Sequence, residues 1–164
     1  MSQAPRPVVR TARSDDAPAL GRLGALLVAV HHAFDPDRFI APGPATERGY
    51  GRFLASQIGR EEAILLVAER GGAVLGYAYA ALEGADWMAL RGPAGVIHDL
   101  IVEPGHRNQG IGGLLLDAAL DALAERGAPR VVLSTATPNQ GAQRLFAAAG
   151  FRSTMVEMTR EWPA

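Results

Sequence analysis

The sequence predicts a mixed α/β (α+β) fold built on one open β-sheet of about six to seven strands, flanked by four helices. Three observations carry that expectation. Two apolar runs, AILLVAE at residues 63–69 and AVLGYAYAAL at residues 73–82, are separated by Arg70-Gly71-Gly72, a hairpin-turn signal that makes them antiparallel neighbours. A third run, GVIHDLIV at residues 95–102, feeds a polar, glycine-bearing loop that opens directly into a helical repeat. That repeat returns to a fourth run, RVVLST at residues 130–135, so strand, helix and strand make a right-handed parallel unit. At 164 residues the chain is expected to form a single domain over residues 1–164, burying about 70% of its unfolded surface.

Composition narrows the function classes. With 48% hydrophobic and 20% charged residues the chain has an ordinary globular balance. A net charge of −1 gives no basis for nucleic acid or an anionic membrane surface as a partner. There is no cysteine, which excludes disulfides, thiolate metal ligation and a cysteine nucleophile. No metal site is expected either, because the adjacent His31 and His32 diverge and no third ligand has suitable spacing. Residues 1–9 contain Pro5 and Pro7 and lack the apolar centre of a secretion signal. No uninterrupted apolar run approaches the ~18 residues of a membrane span, so the expected location is cytoplasmic.

In chain order, residues 1–7 read as a disordered lead-in and VVRTAR at residues 8–13 as a first strand. Ser14-Asp15-Asp16 offers an N-cap and an acidic first turn, with Pro18 tolerated there. Leu20, Leu23, Leu27 and Val30 follow at three-to-four spacing, so a helix is expected to about His31. From His31 through Phe34 and Asp35-Pro36 to Phe39 the pattern breaks. This histidine- and aromatic-bearing stretch suits a substrate mouth, or equally a dipole-favoured helix terminus followed by a turn. A second helix is expected over residues 46–58, with Tyr50, Phe53, Leu54 and Ile58 as its apolar side. Tyr77 and Tyr79 share one face of their strand by the two-residue period. Residues 83–93 form an irregular loop holding Asp86 and Trp87.

Beyond the glycine-bearing loop, Ile111, Leu114, Leu115, Ala118, Ala119, Ala122 and Leu123 repeat helically until Gly127 and Pro129 stop them. Thr137-Pro138-Asn139 caps a last helix through Ala149, with Ala142, Leu145 and Phe146 inward. Gly150 ends it, and residues 151–161 are expected as a final strand. The exposed part of that strand, residues 154–162, would offer its edge to a second subunit and so support a homodimer.

The loop itself, Val102-Glu103-Pro104-Gly105-His106-Arg107-Asn108-Gln109-Gly110-Ile111-Gly112, joins a strand to a helix N-terminus. Free backbone N–H groups and the positive end of the helix dipole favour an anion there, a phosphate or pyrophosphate above all. Gly110 and Gly112 let such a ligand approach the backbone without a Cβ in the way. A P-loop would need Lys and Ser or Thr after its last glycine, where this chain has Gly113 and Leu114. A dinucleotide fingerprint would need glycine at position 115, which is Leu115. What remains is Arg107-x-x-Gly110-x-Gly112 after a strand ending Val102-x-Pro104.

Together with a second motif, Asn139-x-x-Ala142-x-x-Leu145-Phe146-x-x-x-Gly150-Phe151, this pattern resembles the GNAT superfamily of acyl-CoA-dependent N-acyltransferases. The resemblance covers residues 8–161 in element order. It implies a centrally splayed sheet and acetyl-CoA as the cofactor. Backbone groups of Leu100, Ile101 and Val102 would pair with the pantetheine arm. Amides of Asn108, Gln109, Gly110, Ile111, Gly112 and Gly113 would hold the pyrophosphate, with Arg107 anchoring the turn. Asn139 would contact the cofactor arm while also capping its helix, and Phe146 would sit against the cofactor. In many family members a tyrosine at the position of Phe146 protonates the departing thiolate. Phenylalanine has no hydroxyl, so that role does not carry over.

For the base, strand alternation puts His98 on the face of Leu100 and Val102, with Asp99 opposite. Histidine titrates near neutrality and suits proton abstraction from an amine, although a hydrogen-bonded sheet histidine is the plain alternative. A polyamine-acetylating subgroup has an acidic residue where His98 stands, followed by an aspartate matching Asp99, which makes Asp99 a second candidate. The acceptor, a small-molecule amine or a peptide, would lie over residues 96–102, with His31, Phe34, Tyr79 and Trp87 as candidate contacts. The resulting reading is an acetyl-CoA-dependent N-acetyltransferase. The alternative, raised by Phe146, is a non-catalytic acyl-CoA-binding module.

Overall fold

The computed structural model describes residues 5–164, so the first four residues of the expected lead-in lie outside it; Pro5, Arg6 and Pro7 carry no regular structure. One open sheet runs in the order β1 (Val8–Thr11), β2 (Ala63–Arg70), β3 (Ala73–Glu83), β4 (Ala94–Val102) and β5 (Val131–Leu133). The first four strands are antiparallel neighbours and β5 joins β4 in parallel. Gly71 and Gly72, at φ +59° and +83°, turn β2 into β3 in the left-handed region open to glycine. Among the described residues four α-helices complete the fold: α1 (Ala17–Phe34), α2 (Thr46–Gln57), α3 (Ile111–Glu125) and α4 (Gln140–Ala148).

The helices cover opposite faces of the sheet. Ile111, Leu115, Leu116 and Leu123 of α3 and Phe146 of α4 pack on Ile64, Leu66, Ala78 and Ile97. On the other face Leu20 and Leu23 of α1 and Leu54 of α2 cover Leu65, Val67, Tyr77 and Ile101. Helix α1 belongs to a segment, residues 14–34, long and apolar enough by composition to cross a membrane, a test that a core helix and an N-terminal signal sequence also pass. Here Leu20 and Leu23 are fully buried against the sheet, and Arg22 pairs with Glu103. Helices α1 and α2 approach closely because their crossing is made of glycine. A Cβ on Gly21 would stand 2.5 Å from the Glu47 carbonyl oxygen, and one on Gly24 would overlap the Tyr50 ring.

Two expectations need correction. The sheet has five strands instead of six or seven, because residues 151–161 form no strand. Phe151 folds back edge-on to Phe146, and beyond it Met155, Val156, Met158 and Trp162 are exposed, with Arg38 gripping Glu157. The segment carries no regular two-residue apolar period, and β5, the sheet edge nearest to it in sequence, is only three residues long. The edge on which a homodimer was expected is therefore not formed by this segment.

The second correction concerns β4. Tyr79 faces Asp99 while the next residue, Ala80, faces Ile97, so His98 is the extra residue of a β-bulge. Alternation is broken there. Leu100 and Val102 pack on the α3 side, whereas His98 stacks on Tyr79 with ring centroids 5.3 Å apart, on the α2 side with Asp99. His98 thus shares a face with Asp99, not with Leu100 and Val102.

Candidate functional site

The site starts where β4 and β5 part. They pair only at Gly95–Val131, Val96–Val132 and Ile97–Leu133. Past these positions the two strands separate, and Leu100 of one and Ser134 and Thr135 of the other line the opening. A cavity of about 320 Å³ fills it. Ala142, Asn139 and Phe146 close one end, and Leu27, His31, Phe39 and Tyr50 wall the other. Asn139 accepts the Ala142 N–H at 3.2 Å, so it caps α4 while facing the cavity.

At the far end of β4 the chain makes one 3-10 turn at Pro104–His106 and enters α3. Arg107 Nε donates to the Val102 carbonyl at 3.3 Å, which ties the loop back to its strand. Asn108 and Gly110 hold φ of +59° and +78°, and Gly110 caps the helix with no side-chain bond. The first i→i−4 bond of α3 runs from Leu114 N–H to the Gly110 carbonyl, so the amides of Ile111, Gly112 and Gly113 precede it. Beside Gly110 and Gly113 an added Cβ would meet nothing within 4 Å. The protein leaves that space open, and the donors around it suit a pyrophosphate.

Beside the cavity on the α2 side of β4, His98 Nε2 lies 2.6 Å from Glu83 Oε1, and Arg91 Nη2 lies 3.3 Å from the other Glu83 oxygen. Asp99 is buried, at 9% exposure, and its Oδ2 accepts from both Tyr50 and Tyr77 hydroxyls at 2.8 Å. Burial pushes the Asp99 carboxyl above the usual carboxylate range, while the two phenol donors partly oppose it. Burial first, and then the Asp99 charge, push the Tyr50 and Tyr77 phenols up, so both keep their protons. Tyr50 can reach Asp99 because Gly24 vacates the space its ring occupies.

Of the residues singled out for the acceptor, His31 lines the cavity beside His98 and Asp99. Phe34 stands edge-on behind His31, 5.9 Å between centroids. Tyr79 lies beneath the His98 ring and donates to Gln57. Trp87 is 80% exposed at the tip of the β3–β4 loop and does not line the cavity. In the sequence Tyr50 reads only as an apolar helix residue, and nothing there pairs Glu83 with His98, 15 positions away. Only the approach of α2 to Gly24 of α1, which the sequence does not display, reveals where the Tyr50 ring sits.

Comparison with known proteins places this geometry. The acetyltransferase (GNAT) family pattern matches residues 27–151. The chain belongs to that family. An uncharacterized N-acetyltransferase of Bacillus subtilis, YhfO, is 27% identical over 145 residues, covering 87% of this chain and 88% of that protein. A mycothiol acetyltransferase of Clavibacter sepedonicus is 36% identical over 77 residues, 47% of this GNAT chain but only 25% of the larger enzyme. Among solved structures, the aminoglycoside N-acetyltransferase AAC(6')-Iy in complex with CoA superposes with a TM-score of 0.70 at 15% identity, covering 100% of this chain and 99% of that one. An acetyl-CoA complex of a predicted acetyltransferase from Clostridium acetobutylicum gives 0.71 at 18%, covering 94% and 96%. At these identities the structural likeness speaks for the fold, and the family's chemistry is acyl transfer.

Proposed function

We propose that this protein is an acetyl-CoA-dependent N-acetyltransferase that acetylates a primary amine of a small molecule by direct attack. The observation that carries the reading is the bulge at His98, which turns His98 and Asp99 together into the cavity opened by the parting of β4 and β5. The residues present fit the cofactor. Backbone groups of Leu100, Ile101 and Val102 lie along the part of β4 that β5 leaves unpaired. Asn108 to Gly113 and Arg107 would take the pyrophosphate, with Asn139 and Phe146 at the thioester end. Bound there, acetyl-CoA supplies an acyl group activated as a thioester.

The protein's own groups then divide the work. With Glu83 accepting from Nε2–H, His98 presents Nδ1 as a lone-pair acceptor, and stacking on Tyr79 fixes the ring. The amine nitrogen bonds to the acetyl carbon, the carbon–sulfur bond breaks, and the amine proton passes to His98 Nδ1 and on to solvent. Phe146 has no proton to give, and the Tyr50 and Tyr77 phenols hold theirs, so the thiolate takes a proton from solvent.

Thiol release from acetyl-CoA across a panel of primary amines tests the reading. His98→Gln is expected to lower kcat/KM by about 10²–10⁴-fold and to flatten the acidic limb of the pH–rate profile, while CoA affinity stays unchanged. Tight CoA binding with no thiol release from any amine would overturn it in favour of a binding module.

A further inference from the structure

The acceptor end of the cavity has an unusual charge inventory for a site that receives a cation. Among the described residues Asp99 is the only carboxylate that lines it, and no arginine or lysine does. The nearby Glu83 is engaged by His98 and Arg91, and Asp86 binds the amides of Met88 and Ala89 within its own turn. One Asp99 oxygen takes both tyrosine hydroxyls, and Oδ1 has no protein hydrogen bond among the described residues.

The rest of the wall is apolar. Leu27 and Val28 come from α1, and Phe39 and Ile40 from the segment that follows it. His31 stands edge-on to Phe39 with centroids 5.1 Å apart and spends its Nδ1 on the Leu27 carbonyl at 2.8 Å. Ile40 lines the cavity yet is 77% exposed. His32 binds the Phe39 carbonyl at 2.9 Å, so this rim is held in place over the opening. An apolar ligand body under Ile40 and Phe39 would remove that surface from water.

Resting on the acetyltransferase reading, we infer that the acceptor is a lipophilic monoamine: one ammonium seated on Asp99, an aryl- or alkyl-sized body against Phe39, Ile40 and Leu27, and no other charge. A second buried cation would find no free carboxylate, and a carboxylate or phosphate on the ligand would find no basic side chain. Size points the same way. At about 320 Å³ the cavity lies at the low end of small-molecule sites and must also take the thioester end of the cofactor.

Initial rates with 2-phenylethylamine, phenylalanine, spermidine and kanamycin separate the choices, since phenylalanine is the same body with a carboxylate added. Phenylethylamine is expected to exceed each of the others in kcat/KM by about 100-fold or more, the size of penalty an unpaired buried charge imposes. Asp99→Asn is expected to raise its KM about tenfold or more, with CoA affinity unchanged. Equal or better turnover of phenylalanine, spermidine or kanamycin overturns the inference while leaving the acetyltransferase reading standing. Direct binding of phenylethylamine to CoA-saturated protein, followed by ligand-observed NMR, separates the two claims. Binding that is lost in Asp99→Asn supports the acceptor class even if no thiol is released, and that result sinks only the catalytic reading. Absence of both binding and turnover overturns the acceptor class.

Discussion

The loop between β4 and α3 and the acceptor end beside Tyr50 and Asp99 flank one strand, but they are made of different groups. The loop offers backbone amides whose positions follow from a few dihedral angles, Asn108 and Gly110 above all, and its surroundings are open. The acceptor end offers side chains from α1, α2 and β4, and its central group is a buried carboxylate shared by two tyrosines. A site made of backbone keeps its shape as long as the turn does. A site made of interlocked side chains depends on every neighbour that positions them, including residues that never touch a ligand.

Gly24→Ala should expose that dependence most strongly. Alanine is about 1 kcal/mol better than glycine inside a helix, so an isolated helix would gain. Here the new methyl overlaps the Tyr50 ring, and the ring must move away from Asp99. Overpacking costs about 1–3 kcal/mol, enough to cancel the gain. Chemical denaturation should show a net loss of stability, and amine KM should rise while CoA affinity, measured by calorimetry, is retained. Unchanged amine KM in a stable variant would mean that the Tyr50–Asp99 contact does not shape the acceptor end.

The same contrast explains what could be read in the sequence. Arg107, Gly110 and Gly112 lie within six positions of one another, and a strand before them and a helix after them were enough to place an anion cradle. Asn139 as a helix cap was equally local. Tyr50 and Asp99 are separated by 49 positions, and only the α1–α2 crossing, built on Gly21, Gly24 and Gly51, brings them together. The two-residue period puts His98 on the wrong face because it assumes an unbroken ladder, whereas the bulge inserts one residue. The tail beyond Gly150 differs in the opposite way: its position after the last helix suggests a strand, but FRSTMVEMTRE has no two-residue apolar period to bury a face and finds no partner edge.

At the cradle, Gly113→Val should do the reverse of Gly24→Ala. An added Cβ meets no protein atom within 4 Å, and valine is a somewhat better helix residue than glycine. Stability should therefore hold to within about 0.5 kcal/mol. The branched side chain would stand where the pyrophosphate approaches the amides, and CoA affinity should fall about tenfold, roughly the worth of one charge-assisted hydrogen bond. Unaltered CoA affinity would place the pyrophosphate elsewhere.

The smallest effect concerns the cost of keeping Asp99 ionised. Burial raises its carboxyl in the folded protein above the value it has in the unfolded chain, so the folded state holds the proton more tightly. Its contribution to stability is therefore full below the ordinary carboxylate range and is lost as pH rises through the folded value. Asp99→Asn keeps an acceptor oxygen for the Tyr50 and Tyr77 hydroxyls but does not titrate. Urea denaturation between acid and neutral pH should thus show the wild type losing ground to Asp99→Asn as pH rises, with the two closest at the acid end. His98 and His31 act in the other direction, since their charges favour the ionised carboxylate wherever they are protonated. A difference that grows in favour of the wild type with rising pH would mean that the two phenol hydrogen bonds outweigh burial. Asp99 would then be a settled anion, and the ammonium seat would lose little by being left empty.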